Sequence, residues 1–341
     1  MAWIVEETDA AGSRVNIRPD WQSFLAGGPA HEGELGYRMT ASGAKPGARI
    51  DLAFGINTTF IPHAAGVLAS LRRHAPEADL RVIIVHDGIE LALKKRLEAE
   101  APAAEFLWEE IGDADLPPFI DHEHFNRSTM FRFALDTRAP LDCRRVIYLD
   151  ADLTVCDDIR KLWAFDLAGA PLAAVTDGYA DSAAFAGKWS LAGTGEYFNA
   201  GVLLLDLQQI RERGLFAKAL AFYAANAAEL PWNDQDCLNY LLWEEWARLE
   251  TRWNIQRSMA LADVNAKLPA HKRFNGGRPG IVHYTGPEKP WVVSQYHPWG
   301  LLYWRAMART GFYREVAHKA GIGLADHLKL WIRWLRHQPS A

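Results

Sequence analysis

From Ile50 the chain alternates short, almost wholly apolar runs with stretches of helical spacing: IDLAFGI at 50–56, IPHAAGVLASLRRHAP at 61–76, LRVIIVHDG at 80–88 and ELALKKRLEAEA at 90–101. Strands this apolar are buried on both faces, and strands that alternate with helices run parallel. The text therefore predicts an α/β fold with a mostly parallel central sheet, in which ligands gather at the carboxyl ends of the strands. The rhythm continues through a strand at 104–108 and a helix at 128–137, then a strand and its acids, RVIYLDADLTV, at 145–155. PLAAVTD and YFNAGVLLLDL read as two more strands, and helices are expected at about 207–228 and 234–246. No internal repeat or low-complexity tract interrupts the pattern.

Composition removes several classes of function. In 341 residues, hydrophobic side chains make up 49% and charged ones 23%, near the globular average, which excludes a disordered, collagenous or disulfide-stapled chain. The net charge of −5 supplies no field for a polyanion, so nucleic acid is not an expected partner. Cys143, Cys156 and Cys237 have no C-x-x-C spacing and read as small apolar residues in a reducing compartment, so the chain is expected in the cytoplasm. The N-terminus has no signal-peptide pattern, and no run of 18 apolar residues suggests a membrane span. Residues 1–48 lack periodicity and are read as an extension or cap without assigned chemistry.

Three D-x-D triplets occur, at Asp113/Asp115, Asp150/Asp152 and Asp234/Asp236, so the triplet alone says little. The middle one differs because the apolar run RVIYL delivers it to a strand end. Two carboxylates presented together there need a counter-charge, and a divalent cation is the obvious one. A second piece is HYTGPEKPW, after the apolar pair Ile281 and Val282. His283 can ligate a transition metal, Gly286 permits close backbone approach to an anion, and Lys289 offers a point charge suited to phosphate.

The segments VIYLDADLTV, YFNAGVLLLDL, NDQDCLN and HYTGPEKPW, in this order and at these separations, resemble glycosyltransferase family 8, the glycogenin and bacterial lipopolysaccharide galactosyltransferase group. The resemblance runs from about Ile50 to Ala308. It implies a GT-A fold, a Rossmann-like nucleotide-sugar domain spanning residues 49–310, and transfer of a hexose from a UDP-sugar to a glycan or lipid-linked acceptor with retention of configuration. It also implies Mn²⁺, with Mg²⁺ as second choice. By this resemblance Asp150, Asp152 and His283 bind the metal, with Ala151 between the acids in the donor-binding set. Lys289 and the backbone at Gly286 serve the leaving diphosphate, and Arg132 lies near the donor sugar and diphosphate. Its apolar neighbours Met130, Phe131 and Phe133 argue for partial burial. Asn199 is expected on the donor sugar, with Asp234 and Gln235 facing it. Because a neutral amide is a poor nucleophile, front-face substitution is favoured, with Gln235 stabilising the oxocarbenium-like centre. His124 falls in a stretch that often contributes to donor or acceptor binding in the family.

One segment departs from the family pattern. Where F-A-x-D-x-x-Y is usual, this chain reads FGINTTF, with Asn57 in place of the acid and Phe60 in place of the tyrosine. An Asn carbonyl still accepts from uracil N3–H and Phe still stacks, so uridine remains expected, with weaker selectivity. Residues 311–341 form the tail. Within it Leu324, Leu328, Trp331 and Leu335 share one helical stripe opposite Lys329, Arg333 and Arg336, the pattern of a basic amphipathic helix. Comparable tails in bacterial family members imply peripheral attachment to an anionic membrane face. A non-catalytic nucleotide-sugar or glycan-binding protein of the same fold is the rival reading. A nucleotidyltransferase is disfavoured because FGINTTF carries no basic residue.

Overall fold

A computed structural model describes residues 49–120, 127–292 and 297–337, and two strands before them, β1 (Trp3–Glu6) and β2 (Asn16–Pro19), which pair antiparallel. The remaining strands are β3 (Ile50–Gly55), β4 (Leu80–His86), β5 (Glu105–Glu110), β6 (Arg145–Leu149), β7 (Leu153–Val155), β8 (Leu172–Thr176), β9 (Phe198–Asp206), β10 (Ala247–Arg248) and β11 (Ile281–His283). Seven of them form the central sheet in the order β10-β8-β9-β6-β3-β4-β5. β6, β3, β4 and β5 run parallel, and β9 is antiparallel to both its neighbours. β7 and β11 pair antiparallel as a separate ribbon. This is the expected α/β architecture, a GT-A fold with a mostly parallel sheet and helices at its C-terminal end.

The apolar runs partition between two layers by strand alternation. Leu52 and Phe54 of β3, Val82 and Ile84 of β4, and Ile147 and Leu149 of β6 face a core that includes helix Ile61–His74 and helix Gly300–Met307. Ala53, Ile83, Val85, Val146 and Tyr148 face the other core, with Phe131, Phe133 and Phe216. Near the amino ends of β3 and β4, Arg81 is buried and grips Asp51 with both Nε (2.7 Å) and Nη2 (2.9 Å), and Asp142 with Nη1 (2.8 Å).

Two helices differ from expectation. The 128–137 stretch forms a 3₁₀ segment, Arg127–Ala134, followed by a short α-helix, Leu135–Arg138. Six of the eight 3₁₀ residues are buried, so this stretch is inserted between layers rather than laid on one with a single face. The 207–228 stretch breaks at Gly214 into Leu207–Arg213 and Leu215–Asn226, and the next helix spans Asn233–Leu241. The tail is helical over Tyr313–Ala320 and Leu324–His337. Its last helix seats through His327 and Leu330, with Trp334 half-buried, and Trp299 Nε1 donates to the His337 carbonyl. Among the described residues no helix is long and apolar enough to cross a membrane.

Candidate active site

β6 delivers Asp150 and Asp152 into a loop pinned on two sides: Asp150 N donates to Gly201 O of β9 at 2.9 Å, and Tyr284 N donates to Asp152 O at 2.9 Å. Pairing of β7 with β11 sets His283 opposite Leu153, which carries the imidazole onto the acids. His283 Nε2 lies 3.2 Å from Asp152 Oδ1 and 3.7 Å from Asp150 Oδ2. One ligand atom from each of the three residues falls within 4.8 Å of the others, and no other group of this kind occurs among the described residues.

The surrounding hydrogen bonds fix the imidazole. Asn254 Nδ2 donates to Asn199 Oδ1 at 2.8 Å, which leaves Asn254 Oδ1 to accept from His283 Nδ1 at 3.1 Å. This network assigns the proton to Nδ1 and aims the Nε2 lone pair at two carboxylate oxygens. Three electron-rich atoms converging in this way suit a cation between them, and a set of one nitrogen and two carboxylates fits Mn²⁺ better than an all-oxygen ion such as Mg²⁺. Burial works to raise the Asp152 carboxyl, but the Lys289 ammonium beside it holds it well below the usual carboxylate range. Lys289 Nζ bonds Asp152 Oδ2 and donates to Tyr284 O at 2.7 Å, so in this structure it rests on the acid.

Arg132 is only 3% exposed, more completely buried than the partial burial its apolar neighbours suggested. Its Nη2 is 3.0 Å from Asp150 Oδ1, its Nε is 3.0 Å from Asp234 Oδ2, and the guanidinium lies 4.3 Å from the Tyr148 ring centroid. Burial opposes its charge, yet Asp234, Tyr148 and Asp150 outweigh that and raise its pKa further. Burial pushes the Asp234 carboxyl up to about 7 despite Arg132, with Asp150 adding repulsion. Asp236 turns elsewhere: it accepts from Tyr197 Oη and, at 2.8 Å, from Trp232 N, a structural role at the start of its helix. The remaining triplet, Asp113/Asp115, lies in a surface turn paired with Arg127 and Arg138.

Asn199 and Gln235 meet on a residue the sequence reading did not single out. Asp177 accepts from Tyr179 N (2.8 Å) and Ala180 N (2.9 Å) on Oδ1, and from Asn199 Nδ2 (3.0 Å) and Gln235 Nε2 (3.3 Å) on Oδ2. Gln235 Oε1 accepts from Ala200 N at 2.9 Å. The signal for Asp177 was present, since PLAAVTD ends an apolar strand in an acid just as RVIYLD does. Asn254 and Arg257 were also missed, and nothing in their local sequence distinguishes them, because tertiary contacts bring them here; Trp232 was missed although it stands directly before the NDQDCLN segment.

A cavity of about 550 Å³ joins these groups: Asp150, Asp152, Asp177, Asn199, Asp234, Gln235, His283, Gly286 and Lys289 all line it, as does Arg132. A second, of about 130 Å³, is lined by Gly55, Phe60, Tyr148 and Ala151, and shares Thr129, Asp150, Asp152 and Lys289 with the first. The acid pair thus stands at the junction of a polar chamber and a smaller aromatic one. Gly286 has φ 79°, a left-handed turn that suits glycine, where HYTGPEKPW bends back toward the acids. Asn57 sits at the edge of this region and is not among the residues lining either cavity; its Oδ1 accepts from Thr59 N at 3.0 Å and caps the turn Thr58–Phe60. His124 lies outside the described residues.

Residues 51–294 match the family described as glycosyl transferase family 8. General stress protein A of Bacillus subtilis is 31% identical over 259 residues, covering 73% of this chain and 89% of that protein. The lipopolysaccharide 1,3-galactosyltransferase of Salmonella typhimurium is 27% identical over 265 residues, covering 74% of each. Among solved structures, galactosyltransferase LgtC in complex with donor and acceptor sugar analogues superposes with a TM-score of 0.68 at 23% identity, covering 80% of this chain and all of that one.

Proposed function

Because this chain belongs to glycosyl transferase family 8 and is a glycosyltransferase of GT-A fold, we propose that it transfers a hexose from a UDP-sugar to a glycan or lipid-linked acceptor, with Mn²⁺ and with retention of configuration. The observation that carries this reading is the convergence of Asp150, Asp152 and His283 at the mouth between the two cavities. Cleavage of a glycosyl phosphate leaves negative charge on the diphosphate and positive charge at the anomeric carbon, so a competent site separates cationic from oxygen-rich groups. A divalent cation held by the triad supplies Lewis-acid neutralisation of the leaving group. Lys289, freed from Asp152, and the backbone at Gly286 add charge and hydrogen bonding to the diphosphate. The nucleoside occupies the smaller chamber beside Phe60, where an aromatic wall offers stacking.

The sugar then lies in the larger chamber, where Asn199, Asp234 and Gln235 orient its hydroxyls. Asp177 is the carboxylate beside Gln235, but its four donors spread its charge and weaken it as a nucleophile. That favours front-face substitution, in which the leaving phosphate takes the acceptor proton. Hydrolysis of a panel of UDP-, GDP- and ADP-sugars with and without Mn²⁺ tests the donor. Turnover is expected for a UDP-hexose only with metal, and NMR of fresh product should show the donor's own anomer. An inverted product would overturn retention.

The tail supports a membrane-facing acceptor. Leu324, Leu328, Trp331, Ile332 and Leu335 are between 37% and 53% exposed, because the helix docks through a different face. This leaves an apolar stripe flanked by Lys329 and Arg336, which suits an anionic bilayer surface. Leu328→Gln with Ile332→Gln should release the protein from anionic vesicles; unchanged partition would refute this part.

A further inference from the structure

Asn254 is fully buried between His283 of the proposed metal site and Asn199 of the larger chamber. Its backbone sets it there. Asn254 N donates to Thr251 O at 3.1 Å and closes the turn Thr251–Trp253, and the next residue, Ile255, bridges Val282 of β11. Ile255 N donates to Ile281 O at 2.9 Å, and Ile255 O accepts from His283 N at 2.9 Å, so Asn254 and His283 stand in fixed register. The direction of the side-chain hydrogen bonds is set at the other end. Asp177 Oδ2 accepts from Asn199 Nδ2 at 3.0 Å, and the Gly201 amide, which can only donate, gives its proton to Asn199 Oδ1 at 3.1 Å. These two anchors leave the Asn199 amide one orientation. Asn254 then has to turn its NH₂ to Asn199 Oδ1, at 2.8 Å, and its carbonyl to His283 Nδ1, at 3.1 Å.

We infer that Asn254 is a positioning residue that serves both halves of the site: its carbonyl holds the imidazole tautomer the cation needs, and its NH₂ holds the face Asn199 turns to the sugar. The inference rests on the reading of Asp150, Asp152 and His283 as metal ligands. A fixed acceptor at Nδ1 keeps the Nε2 lone pair on the side of the acids and makes the ring a better ligand. Only an amide of this length does both jobs. Leucine, of similar size, neither accepts nor donates. Aspartate still accepts from His283 Nδ1 but turns a second acceptor toward Asn199 Oδ1, so the Asn199 amide has to turn over against Asp177 and Gly201 or withdraw. The two anchors on Asn199 act in parallel. With Asp177 altered, Gly201 N still holds the amide in the same sense, and the imidazole is left in place.

Mn²⁺ titration of the full chain, followed by electron paramagnetic resonance with spin-echo detection of a directly bound imidazole nitrogen, reads the ligand itself rather than turnover. Asn254→Leu should bind Mn²⁺ about 10–100-fold more weakly than wild type, with a reduced nitrogen modulation. Asn254→Asp should keep wild-type affinity or better and keep the modulation, while its KM for UDP-sugar hydrolysis rises about fivefold or more as the Asn199 contact is lost. Aspartate exchanges NH₂ for oxygen at almost constant volume, so that variant decides the matter even where the leucine variant fails to fold. A merely structural role would weaken Mn²⁺ binding alike in both. Wild-type affinity and modulation in Asn254→Leu, equal loss of Mn²⁺ in the two variants, or an unchanged KM in Asn254→Asp would each overturn the inference. A wild type that binds Mn²⁺ without nitrogen modulation would overturn His283 as a ligand and this inference with it, an outcome distinct from the other three.

Discussion

Replacing Gly201 by alanine tests the packing on which the metal site depends. A Cβ at this position would stand 2.1 Å from His283 Cε1, 2.7 Å from His283 Nδ1 and 2.8 Å from Asp150 Oδ2. Carbon atoms in ordinary contact lie about 3.5–4.0 Å apart, so the ring must retreat by roughly 1.4 Å or more. It has little room to do so, because His283 is 4% exposed and tied through Nδ1 to Asn254 at 3.1 Å. Retreat carries Nε2 away from Asp152 and breaks the Asn254 bond that orients the imidazole. Overpacking of this kind costs about 1–3 kcal/mol of stability, which a fold of this size survives. Misplacing a reacting group by about 1 Å costs roughly 10²-fold in turnover, and disturbing a ligand's supporting shell costs about 10–100-fold in metal affinity. Gly201→Ala should therefore be a folded protein with weakened Mn²⁺ binding, read by electron paramagnetic resonance, and with kcat/KM for UDP-sugar hydrolysis down about 10²-fold. Gly187→Ala is the control: its Cβ meets nothing within 4 Å on helix Ser182–Trp189. Wild-type Mn²⁺ affinity and turnover in Gly201→Ala would refute the close approach and the reasoning built on it.

Asp157 offers a pH test away from the site. Burial would raise its carboxyl, but hydrogen bonds from Arg252 and Lys161, with Arg278 nearby, hold it at about 2 from an ordinary 3.8. A depressed folded-state pKa gives stability that is present above pH 4 and lost as pH falls toward 2, on the order of 2 kcal/mol. Urea denaturation of wild type and Asp157→Asn should show a gap at pH 5 that closes toward pH 2; a constant gap contradicts the linkage. Asp51→Ala leaves Arg81 buried with only Asp142 as partner and should cost about 3 kcal/mol by urea denaturation; a loss under about 1 kcal/mol would show the pair to be dispensable. Asp177→Asn keeps the shape but reduces the acceptor capacity shared by four donors, and should lower kcat/KM for UDP-sugar hydrolysis by about 10-fold or more with the metal affinity unchanged. Equal kcat/KM would remove Asp177 from the site.

The parts of the fold that follow from local pattern were legible in the sequence. β3, β4 and β6 are continuous apolar runs, and their register in a covered parallel sheet leaves little alternative for where their carboxyl ends point. The burial of Arg132 was visible from the apolar residues around it, since a guanidinium flanked by Met130, Phe131 and Phe133 has to enter the interior with them. Contacts across long sequence separations were not legible. Asp177 collects Asn199 and Gln235 from other elements, and Asn254 reaches His283 only through the parallel bridge between Ile255 and Val282. In the tail, periodicity located the apolar stripe, which stays outward as a membrane-facing helix requires; what periodicity did not show is that the helix also docks on the body through His327 and Leu330. The capping role of Asn57 likewise depends on a turn geometry that propensity does not specify.

Titration of Mn²⁺ into the UDP-loaded protein, followed by electron paramagnetic resonance, tests the central claim most directly. One bound ion is expected in the wild type, with binding weakened by orders of magnitude in Asp150→Ala, Asp152→Ala and His283→Ala and retained in Asp236→Ala, whose carboxylate belongs to the Tyr197 and Trp232 contacts. Undiminished Mn²⁺ binding in the three triad variants would contradict the assignment of that site.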